Sequence, residues 1–387
     1  MKNVILIVVI FLILEELLKM YKTAFLLIVF SGFFINFLPI SPIYLFFTLS
    51  FVGLFLQTLK RKKLVFNSLI SITMVLLCYL LVTQLMIIPE KTNALYNVIL
   101  SLIYFVFSFQ VLYSLSSDKI LNISVKFINI SILVVIIETI WRLTHPWQPQ
   151  TTWQFMQVDS SFYKYKMNSI MYQDSNFVGI FIVTLFFFCI YLRRYQAISL
   201  KWQMFMLTIL CVLTFSRAAI FTLIAFYILI GFKTKIMKIL LSITAIITGA
   251  TFIFGYMNSD ISFLSKIEIV DRAFEFLSDT TMSNVLLGIG FGNSFEYLRI
   301  GAHNFMITYL IESGLIGFIL LFVLWWRILK KTKFKAGIVM LPFLLAGMSL
   351  AGHAITYLYC IFAIIYILEK KYGSNEGNSN PLFSKTT

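Results

Sequence analysis

The chain has 387 residues, 60% of them hydrophobic and only 12% charged, with a mean hydropathy of +0.92. That composition excludes a soluble globular protein and describes a polytopic helical membrane protein. The net charge of +15 does not mark a nucleic-acid footprint, because the lysines and arginines fall in clusters between apolar runs, where they orient spans and meet anionic lipid heads.

In chain order, the apolar run 4–14 is short for a span, which needs about 20 residues. It ends at Glu15, Glu16 and Lys19, with no small-residue cleavage site. It reads as an interfacial helix or a short extra span rather than a removable signal peptide. Spans are predicted over 23–38, 42–59, 64–88, 95–117 and 120–143, followed by a long loop over 144–171. Four more spans are predicted over 172–192, 199–215, 216–232 and 236–257, and a second long loop runs over 258–302. Within it Ile267, Val270, Phe274 and Leu277 recur at helical spacing, which predicts an amphipathic helix lying on the outer surface. The last spans are predicted over 303–327, 336–352 and 353–369, before a disordered cytoplasmic tail over 370–387. The expected fold is an all-α bundle of about 12 spans forming one membrane domain over 1–369. Basic clusters at 60–63, 193–201, 233–238, 327–335 and 370–371 mark the cytoplasmic side, so both long loops face outward.

The four cysteines lie in apolar spans without C-x-x-C or His/Cys metal spacing, so neither a disulfide framework nor a zinc site is expected. No Asp-x-Asp, H-E-x-x-H or Walker sequence is present, which argues against a metal-bound sugar nucleotide and against ATP chemistry. Chemistry is concentrated in 284–317, where Gly288, Gly290 and Gly292, then Arg299 and His303, directly precede an apolar helix. Glycine allows a sharp turn or a close approach, arginine carries a fixed charge, and histidine exchanges a proton near neutral pH. The glycine run is not a dinucleotide fingerprint, since no strand precedes it.

Each charged candidate has a plainer alternative. Arg217, between two apolar runs, is either a snorkelling helix-end arginine or a bidentate phosphate ligand. Arg272 and Arg299 are solvated charges or ion-pair partners, or else ligands of the same anion. Glu268 and Asp271, beside Lys266 and Arg272, read as local ion pairs rather than a glycosidase carboxylate pair. Glu312 is a bonded packing group or a support for the site. His145 and His353 read as packing or interface histidines, whereas His303, followed by Asn304 at a helix mouth, reads as a general base.

Three short segments also carry a resemblance: the G-x-G-x-G run with His303-Asn304 and Glu312-x-Gly314-Leu315-x-Gly317, the Phe215-Ser216-Arg217-Ala218 segment, and Asp174-Ser175-Asn176-Phe177-Val178-Gly179. In this order on a polytopic chain they resemble the O-antigen ligase and O-antigen polymerase superfamily, with Ser175 standing where that superfamily has proline. The resemblance covers roughly the last two thirds of the chain. It implies a GT-C-like membrane glycosyltransferase in a bacterial plasma membrane, needing no cofactor or metal. The implied donor is an undecaprenyl-pyrophosphate-linked oligosaccharide, and a chain-length regulator is a candidate partner. His303 is then the base, Arg217 and Arg272 hold the pyrophosphate, and Lys166, Asn176, Arg299 and Asn304 position substrate or loop. The alternatives are a ligase to a terminal acceptor and, from another class, a flippase of lipid-linked glycan.

Overall fold

The computed structural model describes residues 19–35, 37–61, 64–87, 92–147, 163–172, 174–231, 261–298, 304–348 and 354–375. Among these residues the protein is all-helical with no strand, and the one extended pairing is an antiparallel bridge between Ile35 and Met171. The helices are α1 (Met20–Val29), α2 (Pro42–Arg61), α3 (Ser68–Met86), α4 (Thr92–Tyr113), α5 (Ser117–Thr144), α6 (Ser175–Tyr195) and α7 (Lys201–Leu213). They continue with α8 (Arg217–Gly231), α9 (Ile261–Asp279), α10 (Met282–Leu287), α11 (Ser294–Leu298), α12 (Phe305–Lys331), α13 (Gly337–Gly347) and α14 (Thr356–Asn375). Helices α2, α4, α5, α6 and α12 are each long and apolar enough to cross a membrane, the build of a helical membrane protein.

Several helices are shorter than the apolar runs that contain them. The run 23–38 yields only the ten residues of α1, because the chain then turns. Ser41 Oγ donates to the Phe33 carbonyl and accepts from the Ile35 amide, each at 2.9 Å, which fixes that turn. The predicted boundary between the spans 199–215 and 216–232 is where α7 and α8 part, at Phe215, whose φ of +55° no α-helix can contain. The short α13 carries Pro342 inside it, which removes one helical hydrogen bond. Apolarity thus sets where chain can enter a bilayer, while turns set the helix lengths. The predicted span 236–257 and the run 4–14 lie outside the described residues.

Helices α6 and α14 form the hub. Every residue from 178 to 192 and from 355 to 368 is buried, the mark of a helix apolar all round and packed all round. Helix α14 packs on α4, α13 on α6, α12 on α3, and α1 on α2 and α5. Peripheral helices leave large apolar side chains exposed, among them Phe51, Phe55, Val82, Ile137, Phe221 and Phe322. Acyl chains are the natural solvent for such a surface.

The two ends of the bundle differ. Asn67 caps α3 by accepting from the Leu69 and Ile70 amides, and its Nδ2 lies 3.5 Å from the Tyr366 hydroxyl near the end of α14. At this basic end Lys335 pairs with Glu369 at 2.5 Å, and the Tyr191 hydroxyl donates to the same carboxylate at 2.9 Å. Lys371 donates to the Leu115 carbonyl, and Lys370 lies 4.8 Å from the Tyr113 ring centroid. The opposite, loop end gathers the starts of α6, α8, α12 and α14, and it holds the candidate site.

Candidate functional site

The loop end is organised around a buried ion pair. Glu138 and Arg142, four residues apart on α5, are both fully buried, with Nε to Oε1 at 2.9 Å. Arg142 spends its other donors on backbone, Nη1 to the Tyr165 carbonyl at 2.6 Å and Nη2 to the Leu213 carbonyl at 2.8 Å. Ser169 Oγ lies 2.8 Å from Glu138 Oε1. One guanidinium therefore joins α5, the 163–172 segment and the turn that precedes Arg217. Removing one member of such a pair strands the other charge, at a cost of about 3–5 kcal/mol. The Phe215 ring completes the enclosure 5.9 Å from the guanidinium carbon.

Two segments quoted in the sequence meet beside this network. A Cβ built on Gly179 would stand 2.8 Å from the Ala219 Cβ and 3.1 Å from the Ser216 Cβ, so only glycine lets the first turns of α6 and α8 touch here. Ser175 Oγ adds a bond to the Thr214 carbonyl at 2.9 Å. Asp174 caps α6 by accepting from the Asn176 amide at 2.8 Å, and Asn176 Nδ2 donates back to that carboxylate at 3.3 Å. Arg217 is the first residue of α8, with an exposed side chain. A cation there opposes the helix dipole, but together with the free amides of the first turn it attracts an anion.

The third segment comes to the same end. Asn304 caps α12, its side-chain oxygen accepting from Met306 and Ile307 at 3.1 and 3.2 Å. The next residue, Phe305, lines a cavity of about 10 Å³ together with Phe177 of α6, Tyr172, Phe343, Gly347 and Tyr357. That is room for about one water. His303 and Arg299 lie outside the described residues.

The glycine run has a structural explanation. Helix α12 is broken at Gly314 (φ +67°, ψ 177°), about 13 Å along from Phe305 at 1.5 Å per residue. The break exposes carbonyls that a helix would have used, and the strap formed by residues 282–298 takes them. The Ile289 amide donates to Ile311 at 3.1 Å and the Gly290 amide to Glu312 at 3.0 Å. Gly288 and Gly314 pack backbone against backbone: a Cβ on Gly288 would lie 2.3 Å from the Glu312 carbonyl oxygen, and one on Gly314 2.4 Å from the Gly288 nitrogen. The Tyr79 hydroxyl of α3 reaches the Ser313 carbonyl at 2.8 Å. The Glu312 carboxylate, fully buried, accepts from Ser294 Oγ at 2.7 Å and so pins α11. The close approach made by this glycine run is to a broken helix, where every freed backbone group must find a partner inside the protein.

The remaining candidates are distributed as follows. Arg272 on α9 gives Nε and Nη2 to Glu268 at 2.9 and 2.5 Å and Nη1 to the Leu298 carbonyl at 2.9 Å, so its fork ties α9 to the end of α11. Lys166 is buried, and its carbonyl accepts from the Ser175 amide at 3.1 Å, next to Asn176. Helix α9 forms where helical spacing put it, yet the face packed on the protein is Ile269, Ala273 and Phe276, while Ile267, Val270 and Phe274 are exposed. The residues missed by sequence reading are Glu138 and Arg142. Opposite charges four apart inside an apolar span were the available signal.

Fold and site together have the character of a helical membrane protein with a re-entrant strap seated on a broken helix. Comparison with family models, curated proteins and solved structures finds no match for this chain.

Proposed function

We propose that the chain is a membrane glycan polymerase of the Wzy type, transferring an oligosaccharide from an undecaprenyl-pyrophosphate donor to the hydroxyl of a lipid-linked acceptor at the outer leaflet. One observation carries the reading. Segments 174–179 and 215–219, distant in sequence, touch through Gly179, and Phe177 shares a cavity with Phe305, the residue after Asn304. Three helix starts, those of α6, α8 and α12, thus meet at one end; Asp174 and Asn304 cap α6 and α12, and the start of α8, which carries Arg217, is the positive end that would take a pyrophosphate.

In this mechanism the acceptor oxygen attacks the anomeric carbon while the bond from that carbon to the pyrophosphate oxygen breaks. The electron pair leaves with the lipid pyrophosphate, and His303 takes the hydroxyl proton. Arg217 holds the pyrophosphate and receives its growing charge. Arg272 joins it by leaving Glu268 for the phosphate, and Arg299 with Asn304, Lys166 and Asn176 positions strap and substrate. Attack opposite the leaving group inverts the anomeric centre. A transporter would string its ionisable groups along a central path. Among the described residues the buried ones, Glu138, Arg142, Lys166 and Glu312, belong to the loop-end half and are tied into the fold.

The test is the surface glycan of a gene deletion, run on a gel. A lost ladder with a single repeat unit still on its acceptor supports a polymerase. Loss of both points to a ligase, and units trapped on the inner leaflet to a flippase. In purified protein given donor and acceptor, His303→Ala should lose about 10² to 10⁴ in rate and keep donor binding. Neutral imidazole is the active form, so the wild-type rate should fall as pH drops below about 6.5. Normal polymerisation by His303→Ala would place the base elsewhere.

A further inference from the structure

A second concave feature lies away from the loop end. Helices α6, α7 and α8 enclose a groove of about 460 Å³, within the usual size of a small-molecule site. Its floor is Phe186, Met204 and Leu223, all buried, and its rim is Phe205, Ile224 and Tyr227, each at least half exposed. Arg193, near the end of α6, and Lys201, the first residue of α7, line it at the basic end. From Lys201 to Thr208 the wall rises about 10 Å along α7, roughly two thirds of one leaflet's hydrocarbon depth. Neither Arg193 nor Lys201 forms an ion pair with the described residues. Two cations at the mouth of an apolar channel, at the basic end of the bundle, match the phosphate and acyl chain of an anionic lipid.

We propose that this groove is a binding site for an anionic phospholipid, with one acyl chain between α7 and α8 against Phe186 and Leu223 and the phosphate between Arg193 and Lys201. The Tyr227 hydroxyl stands one turn from the end of α8, and its ring meets Phe186 edge to face at 5.8 Å, closing the side of the chain channel. The site is at the opposite end of the bundle from Arg217 and does not depend on the polymerase reading. Its role would be to tie α7 and α8, which bear the Arg217 turn between them, to the composition of the basic-side leaflet.

The probe is dioleoyl phosphatidylglycerol added to delipidated purified protein, with dioleoyl phosphatidylcholine as the uncharged comparison and retained lipid counted by native mass spectrometry. One phosphatidylglycerol should persist where phosphatidylcholine is stripped. R193A/K201A should weaken retention about 30-fold, at about fivefold for each cation at the surface. Ile224→Trp, which fills the channel with both charges intact, should also lose the lipid. Arg194→Ala, whose guanidinium lies over Tyr195 outside the groove, should keep it. Should R193A/K201A fail to fold, the charge-keeping pair R193K/K201R, with retention unchanged, carries the test beside Ile224→Trp. Equal retention of the two lipids, or full retention by Ile224→Trp, overturns the proposal. So does a disulfide between Phe205→Cys and a cysteine placed within 236–257, which would mean the chain itself covers the groove.

Discussion

Replacing Gly288 by alanine separates two roles for the glycine run. The backbone at Gly288 has φ +83° and ψ 178°, a region essentially reserved for glycine, so any side chain there costs about 1–3 kcal/mol. The new Cβ would stand 2.3 Å from the Glu312 carbonyl oxygen and 2.5 Å from the Gly314 nitrogen. Both are backbone atoms that cannot rotate away, and such overpacking adds about 1–3 kcal/mol. The expected loss is therefore about 2–6 kcal/mol, with detachment of the strap as its ceiling. Gly337→Ala is the internal control, because its Cβ meets only Leu329 Cδ2 at an ordinary 3.6 Å, and its change should stay within about 0.5 kcal/mol. Unfolding in mixed micelles titrated with dodecyl sulfate measures both variants, and, in a background without native cysteines, thiol labelling of Ser294→Cys, buried against Glu312 while the strap is seated, reports strap detachment. If Gly288→Ala matches Gly337→Ala in stability and Ser294→Cys reacts no faster, the packing argument fails. Unchanged stability with lost donor binding would give the glycine to a ligand instead.

Arg217→Lys should be nearly as inactive as Arg217→Ala in membranes normalised for protein, since an ammonium cannot reproduce two parallel bonds to a phosphate. Losing a charge-assisted pair costs about 1.5–3 kcal/mol, or roughly ten- to a hundredfold in rate, and full activity in the lysine variant would leave Arg217 a snorkelling anchor. Arg142→Met should destabilise by about 3–5 kcal/mol, through a stranded Glu138. Adding Glu138→Leu should recover only part of that, because the Tyr165 and Leu213 carbonyls stay unpaired; full recovery in dodecyl sulfate unfolding would show that those bonds contribute nothing. In a background without native cysteines, an impermeant thiol reagent added to whole cells should label Ser283→Cys and spare Lys331→Cys until the cells are opened. The reverse pattern would sink both orientation and mechanism.

The helical class was legible because apolar runs of span length admit no other reading, and α5, α6 and α12 begin within a few residues of where composition put them. The turn at Phe215 falls at the predicted boundary between the spans 199–215 and 216–232, whereas the one after Val29 lies inside a predicted span, where composition was silent because a serine six to eight residues away fixes it. Asn304, read as a positioning residue, and Asp174, read only within a motif, are the caps of α12 and α6. The spacing of Ile267, Val270 and Phe274 found α9 but not its buried face. The helix carries two apolar stripes, and only tertiary packing chooses between them. Gly288 was legible as special, but not the identity of what it approaches. The break in α12 at Gly314 was not read from the sequence, although Glu312-Ser313-Gly314 interrupts the apolar run there, and it decides the matter.

That break also imposes an order on how the protein is made. During synthesis α3, with Tyr79, leaves the ribosome first, the strap next and α12 last. Until α12 arrives, the amides of Ile289 and Gly290 have no carbonyls to meet, so the strap must wait in water or at the interface. An unbroken α12 can enter the bilayer alone, with Ile311 and Glu312 satisfied within its own turns, and it can open at Gly314 only as the strap supplies replacement donors. Docking of 282–298 then has to follow the synthesis of α12, coupled to an exchange of hydrogen bonds between the strap and that helix. A chain truncated before residue 305 would leave the strap exposed to the quality-control proteases of the membrane.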